Sequence, residues 1–251
     1  MKKIVLSFLA GTVMLTGCLE TTQEVTLTEN GSGTLSTTSD MGMLLGMAKQ
    51  MGGGAELENA GDKAMDTTIY FGANADSIPD MSAEDKALLK KGSMNMKFNI
   101  KNDEFKTKLN FPFSNADELV RFNQLTGKML SLAMKDQMGD SPMGGLGGQM
   151  PAFSSFDDYF ILEISSGELK KKLNKEKYAA VASDEFLNGL KEAAGMGIPV
   201  GATYVFNLPR PAEKVEGTNV QLSDDKKKVT VKVELDDFFE HPEKFEFKIK
   251  Y

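Results

Sequence analysis

The chain contains a single cysteine, Cys18, and a single histidine, His241. A Ser-His-Asp or Cys-His arrangement would therefore have only one possible base, and a structural zinc site would lack the ligand cluster that it needs. His241 lies in the segment 238–242, Phe-Phe-Glu-His-Pro, which we predict to be a turn between two strands. A histidine in such a turn is normally solvated. These residue types predict a protein that is not an enzyme and that holds no metal.

Carboxylate pairs and glycine-rich stretches also give no indication of a catalytic or cofactor-binding site. Adjacent aspartates occur at Asp157-Asp158, Asp224-Asp225 and Asp236-Asp237. In an extended segment neighbouring side chains lie on opposite faces, so the two members of a pair cannot act on one substrate. Two carboxylates from distant segments could still meet in the fold. The glycine-rich stretches 31–33, 52–54 and 144–148 lack the spacing of a phosphate-binding loop, so we predict no cofactor.

Cys18 points to a different chemistry, which is acylation. It follows Leu15-Thr16-Gly17, and the four residues together resemble a lipobox, the site at which a bacterial signal peptide is cut and the new terminal cysteine is diacylated. The apolar stretch 4–15 follows two lysines and is too short to span a bilayer. We predict that residues 1–17 are a signal peptide and that Cys18 is lipidated. The alternative is an ordinary secretory peptide with an incidental cysteine.

Charge and hydropathy limit the partners of the chain. The formal net charge is −7 and becomes −9 when Lys2 and Lys3 leave with the predicted signal peptide. Such an acidic chain is a poor partner for nucleic acid, whose binding depends on neutralising phosphates. No other segment approaches transmembrane length, so the acyl chains on Cys18 are the predicted membrane attachment. Leu19 after the cysteine favours the outer membrane if the host is Gram-negative, and the predicted location is the cell envelope.

Beyond the anchor, the sequence predicts a tether over residues 18–23 and a single α+β domain over residues 24–251. Short antiparallel hairpin strands are covered on one face by amphipathic helices, and partial closure into a barrel is compatible with this pattern. The Gly-, Met- and Pro-rich loop 139–152 could divide the domain into two subdomains.

The elements follow from hydrophobic periodicity. Val25 and Leu27 alternate with polar residues before the turn 30–33, which predicts a first hairpin. Period-two alternation over 94–100 and 105–113 predicts a second hairpin with one buried face. Ser82 and Ser114-Asn115 are predicted helix caps. The second half is predicted to contain a strand at 159–164, a helical region that ends near Ala194, and three closing strands, at 204–208, 229–235 and 245–251.

Two segments resemble a known family. The stretch 24–35, Glu-Val-Thr-Leu-Thr-Glu-Asn-Gly-Ser-Gly-Thr-Leu, is similar to the first hairpin of the LppM-type bacterial lipoprotein domain. The stretch 204–209, Tyr-Val-Phe-Asn-Leu-Pro, with 215–217, 222–225 and 229–231, is similar to that family's closing hairpin. The family usually has a tryptophan on the return strand, and this chain has none. The resemblance implies an α+β, partly barrel-like lipoprotein with an apolar cavity and a lipid or glycolipid ligand.

Methionine is concentrated in two tracts, 41–51 and 129–150, each of which flanks a glycine-rich stretch. Three interpretations stay open: methionines that fill irregular gaps in the core, an adaptable apolar binding surface, and soft-metal binding by thioethers. The second interpretation predicts a pocket for an acyl chain, with the lining residues Met43, Met47, Met129, Leu130 and Met134. The predicted function is therefore a membrane-anchored lipoprotein that binds a lipid or another amphiphile, and the alternative is a structural or adaptor lipoprotein that docks on an envelope protein.

Overall fold

A computed structural model describes residues 19–42, 64–73, 75–78, 81–126, 154–195 and 197–251. Its strands are β1 (Leu19–Leu27), β2 (Gly33–Asp40), β3 (Ala64–Tyr70), β4 (Ser93–Asn99), β5 (Glu104–Phe113), β6 (Phe160–Ser165), β7 (Glu168–Leu173), β8 (Val200–Asn207), β9 (Lys214–Glu216), β10 (Val220–Leu222), β11 (Lys228–Glu234) and β12 (Phe247–Lys250). Its α-helices of at least one turn are α1 (Ala83–Leu89), α2 (116–126), α3 (Lys175–Tyr178), α4 (Glu185–Gly195) and α5 (Leu235–Glu240).

The strands form two sheets. Eight of them follow the order β10-β11-β8-β1-β2-β5-β4-β3, and four follow the order β6-β7-β12-β9. The pairing of β1 with β8 is parallel, and the other described pairings are antiparallel. The predicted α+β class is confirmed. Within the described residues neither sheet closes on itself, so the fold is not a barrel.

The predicted hairpins form with the expected registers. In the first, Leu27 lies opposite Gly33, and the turn contains Gly31 at φ +82°, a backbone conformation that suits glycine. In the second, Phe98 lies opposite Phe105. Phe111 and Phe113 further along β5 are buried, as the alternation predicts.

Polar caps start the first two helices, and α2 covers the large sheet. The Ser82 hydroxyl accepts the N–H of Asp85, and the Asn115 side chain accepts the N–H of Glu118. Phe122 of α2 is fully buried and stacks on Phe111 of β5 with ring centroids 3.7 Å apart. The predicted cover of the sheet by this helix is therefore confirmed over residues 116–126.

The structure differs from the prediction at the start of the chain. The strand β1 begins at Leu19 rather than at residue 24, so residues 19–23 of the predicted tether belong to a strand. Backbone pairing explains the longer strand: β1 lies between two partners, and Leu19 pairs with Val200 of β8 while Glu20 pairs with Asp40 of β2.

A second difference lies after β6. The sequence predicts residues 168–173 as part of a helical region, but they form the strand β7, which pairs with β6 and β12. The three consecutive lysines 170–172 hide the alternation of Leu169, Lys171 and Leu173 on the inner face. The short strands β9 and β10 are also absent from the prediction.

One buried cluster connects the two sheets. It contains Val25 and Phe206 of the large sheet together with Leu169, Phe247 and Ile249 of the small one. The rings of Phe206 and Phe247 lie 5.1 Å apart. The two sheets therefore share a hydrophobic core. The loop 139–152, predicted as a subdomain boundary, lies outside the described residues.

Candidate functional site

The residues predicted for the acyl-chain pocket, Met43, Met47, Met129, Leu130 and Met134, lie outside the described residues, and so does Cys18. Two other features of the described structure could bind or react: an open groove at one end of the large sheet, and a buried lysine between the sheets.

The groove has a volume of about 930 Å³ and lies where β8 begins and β11 ends. Its floor includes Ile198, Val200 and Leu235, which pack together in a small buried cluster of their own. Its rim is polar and includes an ion pair between Lys244 and Asp237, 2.5 Å from nitrogen to oxygen. An apolar floor with a polar rim suits a ligand that has both kinds of surface.

The groove lies beside the start of β1. Because β1 and β8 pair in parallel, the backbone of Leu19 lies opposite Val200, one of the residues of the groove floor. Cys18 directly precedes Leu19 in the chain. The predicted acylation site therefore directly precedes β1, the strand that pairs with the groove-lining strand β8.

The buried lysine is Lys171 of β7, and its side chain is only 4 % exposed. Its Nζ lies 2.5 Å from Oδ1 of Asp157 and 3.7 Å from the ring centroid of Tyr204. Asp157 also accepts the Tyr204 hydroxyl at 3.0 Å and, through Oδ2, the side-chain amide of Gln23 at 3.1 Å. We call these four residues the lysine cluster. It joins β7 of the small sheet to β1 and β8 of the large one.

Burial sets the electrostatics of the lysine cluster. Loss of water lowers the pKa of the Lys171 ammonium, and the Asp157 carboxylate opposes that shift. Burial, with Asp157 beside the hydroxyl, raises the pKa of Tyr204 well above its ordinary value. The adjoining cavity is small, about 60 Å³, which is room for only a few water molecules. The four side chains mainly satisfy one another, so the arrangement is suited to holding the sheets together.

The expectation that adjacent aspartates face opposite sides is wrong for two of the pairs. Asp157 and Asp158 lie in the 3-10 turn Phe156–Tyr159, and both line the small cavity. Asp236 and Asp237 lie in α5, and both line the groove. The opposite-face argument assumed extended backbone, whereas successive residues of a helical turn are separated by only about 100–120°.

Sequence reasoning missed the lysine cluster entirely. A recognised strand at 168–173 would have placed Lys171 on the same face as Leu169 and Leu173, which is the one signal that marks it as buried. Asp157, Tyr204 and Gln23 come from distant parts of the chain, and no spacing in the sequence connects them.

His241 is solvated, as predicted. Its side chain is 54 % exposed, and Nδ1 lies 3.3 Å from the carboxylate of Glu243. The residue ends α5, so it follows a helix rather than a strand. Among the described residues, no group of three or more histidine, cysteine, aspartate or glutamate side chains is placed to hold a metal ion. No helix in the same part of the chain is long and apolar enough to cross a membrane.

No family model matches the chain, and comparisons with curated proteins and with solved structures also find no match. The resemblance to the LppM-type domain therefore stays a prediction.

Proposed function

We propose that this protein is a lipid-anchored component of the bacterial cell envelope whose folded body binds an amphiphile without converting it. The observation that carries the proposal is the adjacency of the acylation site and the groove. Cys18 precedes Leu19, and Leu19 pairs with Val200 in the groove floor. Acyl chains on Cys18 would hold the groove at the level of the lipid headgroups.

The composition and size of the groove support an amphiphile as its ligand. Ile198, Val200 and Leu235 make the bottom of the groove apolar, while the exposed Lys232 at the rim offers an ammonium group to a polar head. Pockets that bind small molecules typically have volumes of roughly 300–1,000 Å³, a range that includes the groove.

The anchor is tested by Cys18→Ser. Cells that express the wild-type protein should retain it in the membrane fraction and incorporate labelled palmitate into it, because the cysteine thiol carries the lipid. The Cys18→Ser protein should lose the label, because serine has no thiol to carry the lipid. A wild-type protein without label and with residues 1–17 retained would contradict the proposal.

Ligand binding is tested with a fluorescent palmitate analogue added to the Cys18→Ser protein. Thr218 lies exposed in the groove lining, so Thr218→Trp should obstruct the groove and weaken binding roughly tenfold or more. Thr38→Trp, on an exposed position of β2 outside the groove lining, is the matched control and should bind normally. Absence of binding to the unsubstituted protein, or equal binding by both variants, would overturn the assignment of the groove.

A role as an adaptor is the second candidate, and the edge of the large sheet favours it. The strand β10 pairs with only Val229–Val231 of β11. Among the described strands, none pairs with Lys232–Glu234 on the same side of β11 as β10. An extended segment of an envelope protein could therefore pair with β11 at these residues as an additional strand. Amine crosslinks from Lys232 to one reproducible envelope protein in intact cells would support this role, and their absence would count against it.

A further inference from the structure

One row of residues crosses the large sheet at the end where the chain enters it. The registers align Glu20 with Asp40, Asp40 with Lys106, Lys106 with Lys97, and Lys97 with Asp66. In the next row, Met41 donates its backbone N–H to Phe105, Phe105 lies opposite Phe98, and Phe98 lies opposite Met65. On β1, Leu19 directly precedes Glu20 and follows the predicted acylation site. We call the part formed by Met65, Phe98 and Phe105 the apolar corner.

The apolar corner is incompletely buried. Met65 is 42 % exposed, which makes it one of the few large apolar side chains with so much accessible surface among the described residues. Phe98 and Phe105 are half-buried and meet edge to face with their ring centroids 5.6 Å apart. The three side chains are neighbours in one row of the sheet, so their accessible apolar surface forms a single patch that a membrane or a partner could cover.

The anchor indicates which contact this is. Two to four strand spacings of about 4.8 Å separate β1 from β5, β4 and β3, so the apolar corner lies roughly 10–19 Å from Leu19 along the row. Because the strand starts directly after Cys18, the acyl chains leave no slack with which the body could move away from the bilayer. We propose that the apolar corner inserts into the lipid interface and fixes the orientation of the body. This inference rests on the proposed lipid anchor.

The charges of the same corner indicate that the contact is apolar rather than electrostatic. Lys97 pairs with Glu104 at 2.9 Å, and Lys106 lies 3.6 Å from Asp40. These two lysines already pair with carboxylates, and the turn between Phe98 and Phe105 carries both Lys101 and Asp103, so attraction to anionic lipid adds little. The insertion should therefore occur on zwitterionic phosphatidylcholine vesicles and should be insensitive to salt.

The experiment uses the absence of tryptophan from the chain. Acylated protein, processed before Cys18 and carrying Met65→Trp, is bound to phosphatidylcholine vesicles that contain a dibrominated phosphatidylcholine, a quencher inside the bilayer. Phe98→Trp serves as a second reporter at the corner. Thr34→Trp is the control, because Thr34 is exposed and lies at the other end of β2, about 23 Å along the strand from Met41.

Fluorescence of both corner reporters should fall roughly twofold or more when they enter the interface, with a blue shift, while Thr34→Trp stays unquenched. Vesicle-bound protein in which the corner reporters are not quenched would overturn the inference and leave the anchor intact. Equal quenching of all three would also overturn it, because the body would then lie flat. Failure of the acylated protein to float with vesicles would overturn the proposed anchor, and the inference with it.

Discussion

The Lys171 ammonium is held inside the protein by one carboxylate and by aromatic rings. Besides Asp157 and Tyr204, the ring centroid of Phe160 lies 4.9 Å from Nζ. A buried cation without such partners would be strongly unfavourable. Paired in this way, the lysine and Asp157 fix how the inner face of the small sheet meets the large sheet, because a shift of either sheet would separate them from Tyr204 and Gln23.

The first prediction concerns this ion pair. Lys171→Met keeps most of the side-chain volume but leaves Asp157 without its cation, and we expect a loss of about 2–4 kcal/mol in the free energy of unfolding. This loss is smaller than that for a fully enclosed pair because the Asp157 side chain is 21 % exposed. Equilibrium unfolding in urea, followed by circular dichroism, measures the change.

The neighbouring Lys172 provides the control. It is 41 % exposed and pairs at the surface with Glu163, so Lys172→Met should change the free energy of unfolding by less than about 1 kcal/mol. Adding Asp157→Asn to Lys171→Met should restore much of the lost stability, since no unpaired charge remains. An equal effect of Lys171→Met and Lys172→Met would show that the buried pair is not a major stabilising contact.

Close packing of aromatic rings attaches α2 to the large sheet. Phe122 stacks on Phe111 and also lies against Phe71, with ring centroids 6.3 Å apart. Gly92, just before β4, leaves the space for this arrangement: a Cβ atom there would lie 2.7 Å from the Phe122 ring and 2.8 Å from the Phe71 ring. The absence of a side chain at Gly92 therefore allows α2 to pack closely against the segment that precedes β4.

The second prediction compares two glycines. Gly92→Ala should destabilise the protein by about 1–3 kcal/mol, because the rings must shift to admit the methyl group. Gly189 lies in α4, and apart from its chain neighbours and the backbone of its own helix no atom lies within 4 Å of the position that a Cβ atom would take there. Gly189→Ala should therefore stabilise the protein by about 0.5–1 kcal/mol through helix propensity. Thermal unfolding of both variants gives the measurement. A neutral or stabilising Gly92→Ala would contradict the packing argument.

At the scale of the whole molecule, buried and half-buried tyrosines make stability depend on alkaline pH. Burial is the main cause of a raised pKa at Tyr159, Tyr178, Tyr204 and Tyr251. The folded protein therefore keeps these protons at a pH where the unfolded chain has lost them. The stability they contribute is fully present below about pH 10 and is lost as the pH rises further. The lowered pKa of Lys171 has the opposite effect on the pH dependence of stability, but this is one group against four tyrosines.

The third prediction follows from that balance. The urea midpoint should fall from about pH 9.5 to about pH 11, and tyrosinate absorbance of the folded protein should appear at higher pH than in the unfolded chain. Tyrosinate absorbance of the protein unfolded in guanidinium chloride, titrated over the same pH range, gives the reference for the unfolded chain. Coincident titration of the folded and unfolded protein would contradict the burial of these hydroxyl groups.

Hairpins and helix caps could be predicted because they depend on neighbouring residues. The alternation over 94–113 and the turn at 30–33 each specify a local conformation, and the structure confirms both hairpins. The pattern of β7 failed because its period-two signal spans only Leu169, Lys171 and Leu173, and a charged residue stands at the centre. A lysine on the inner face interrupts the alternation of apolar and polar residues by which a strand is recognised, unless its buried partners are already known.

The amino-acid sequence was enough to specify the elements with strong local signals and the α+β class, and it predicts the anchor at Cys18. Folding in three dimensions was needed to bring Asp157, Lys171 and Tyr204 together, to pair β1 with β8, and to place the groove and the apolar corner at the end where the chain enters the sheet. The two kinds of feature differ because periodicity encodes which face of a strand is apolar, whereas the choice of neighbouring strand depends on packing across the whole chain.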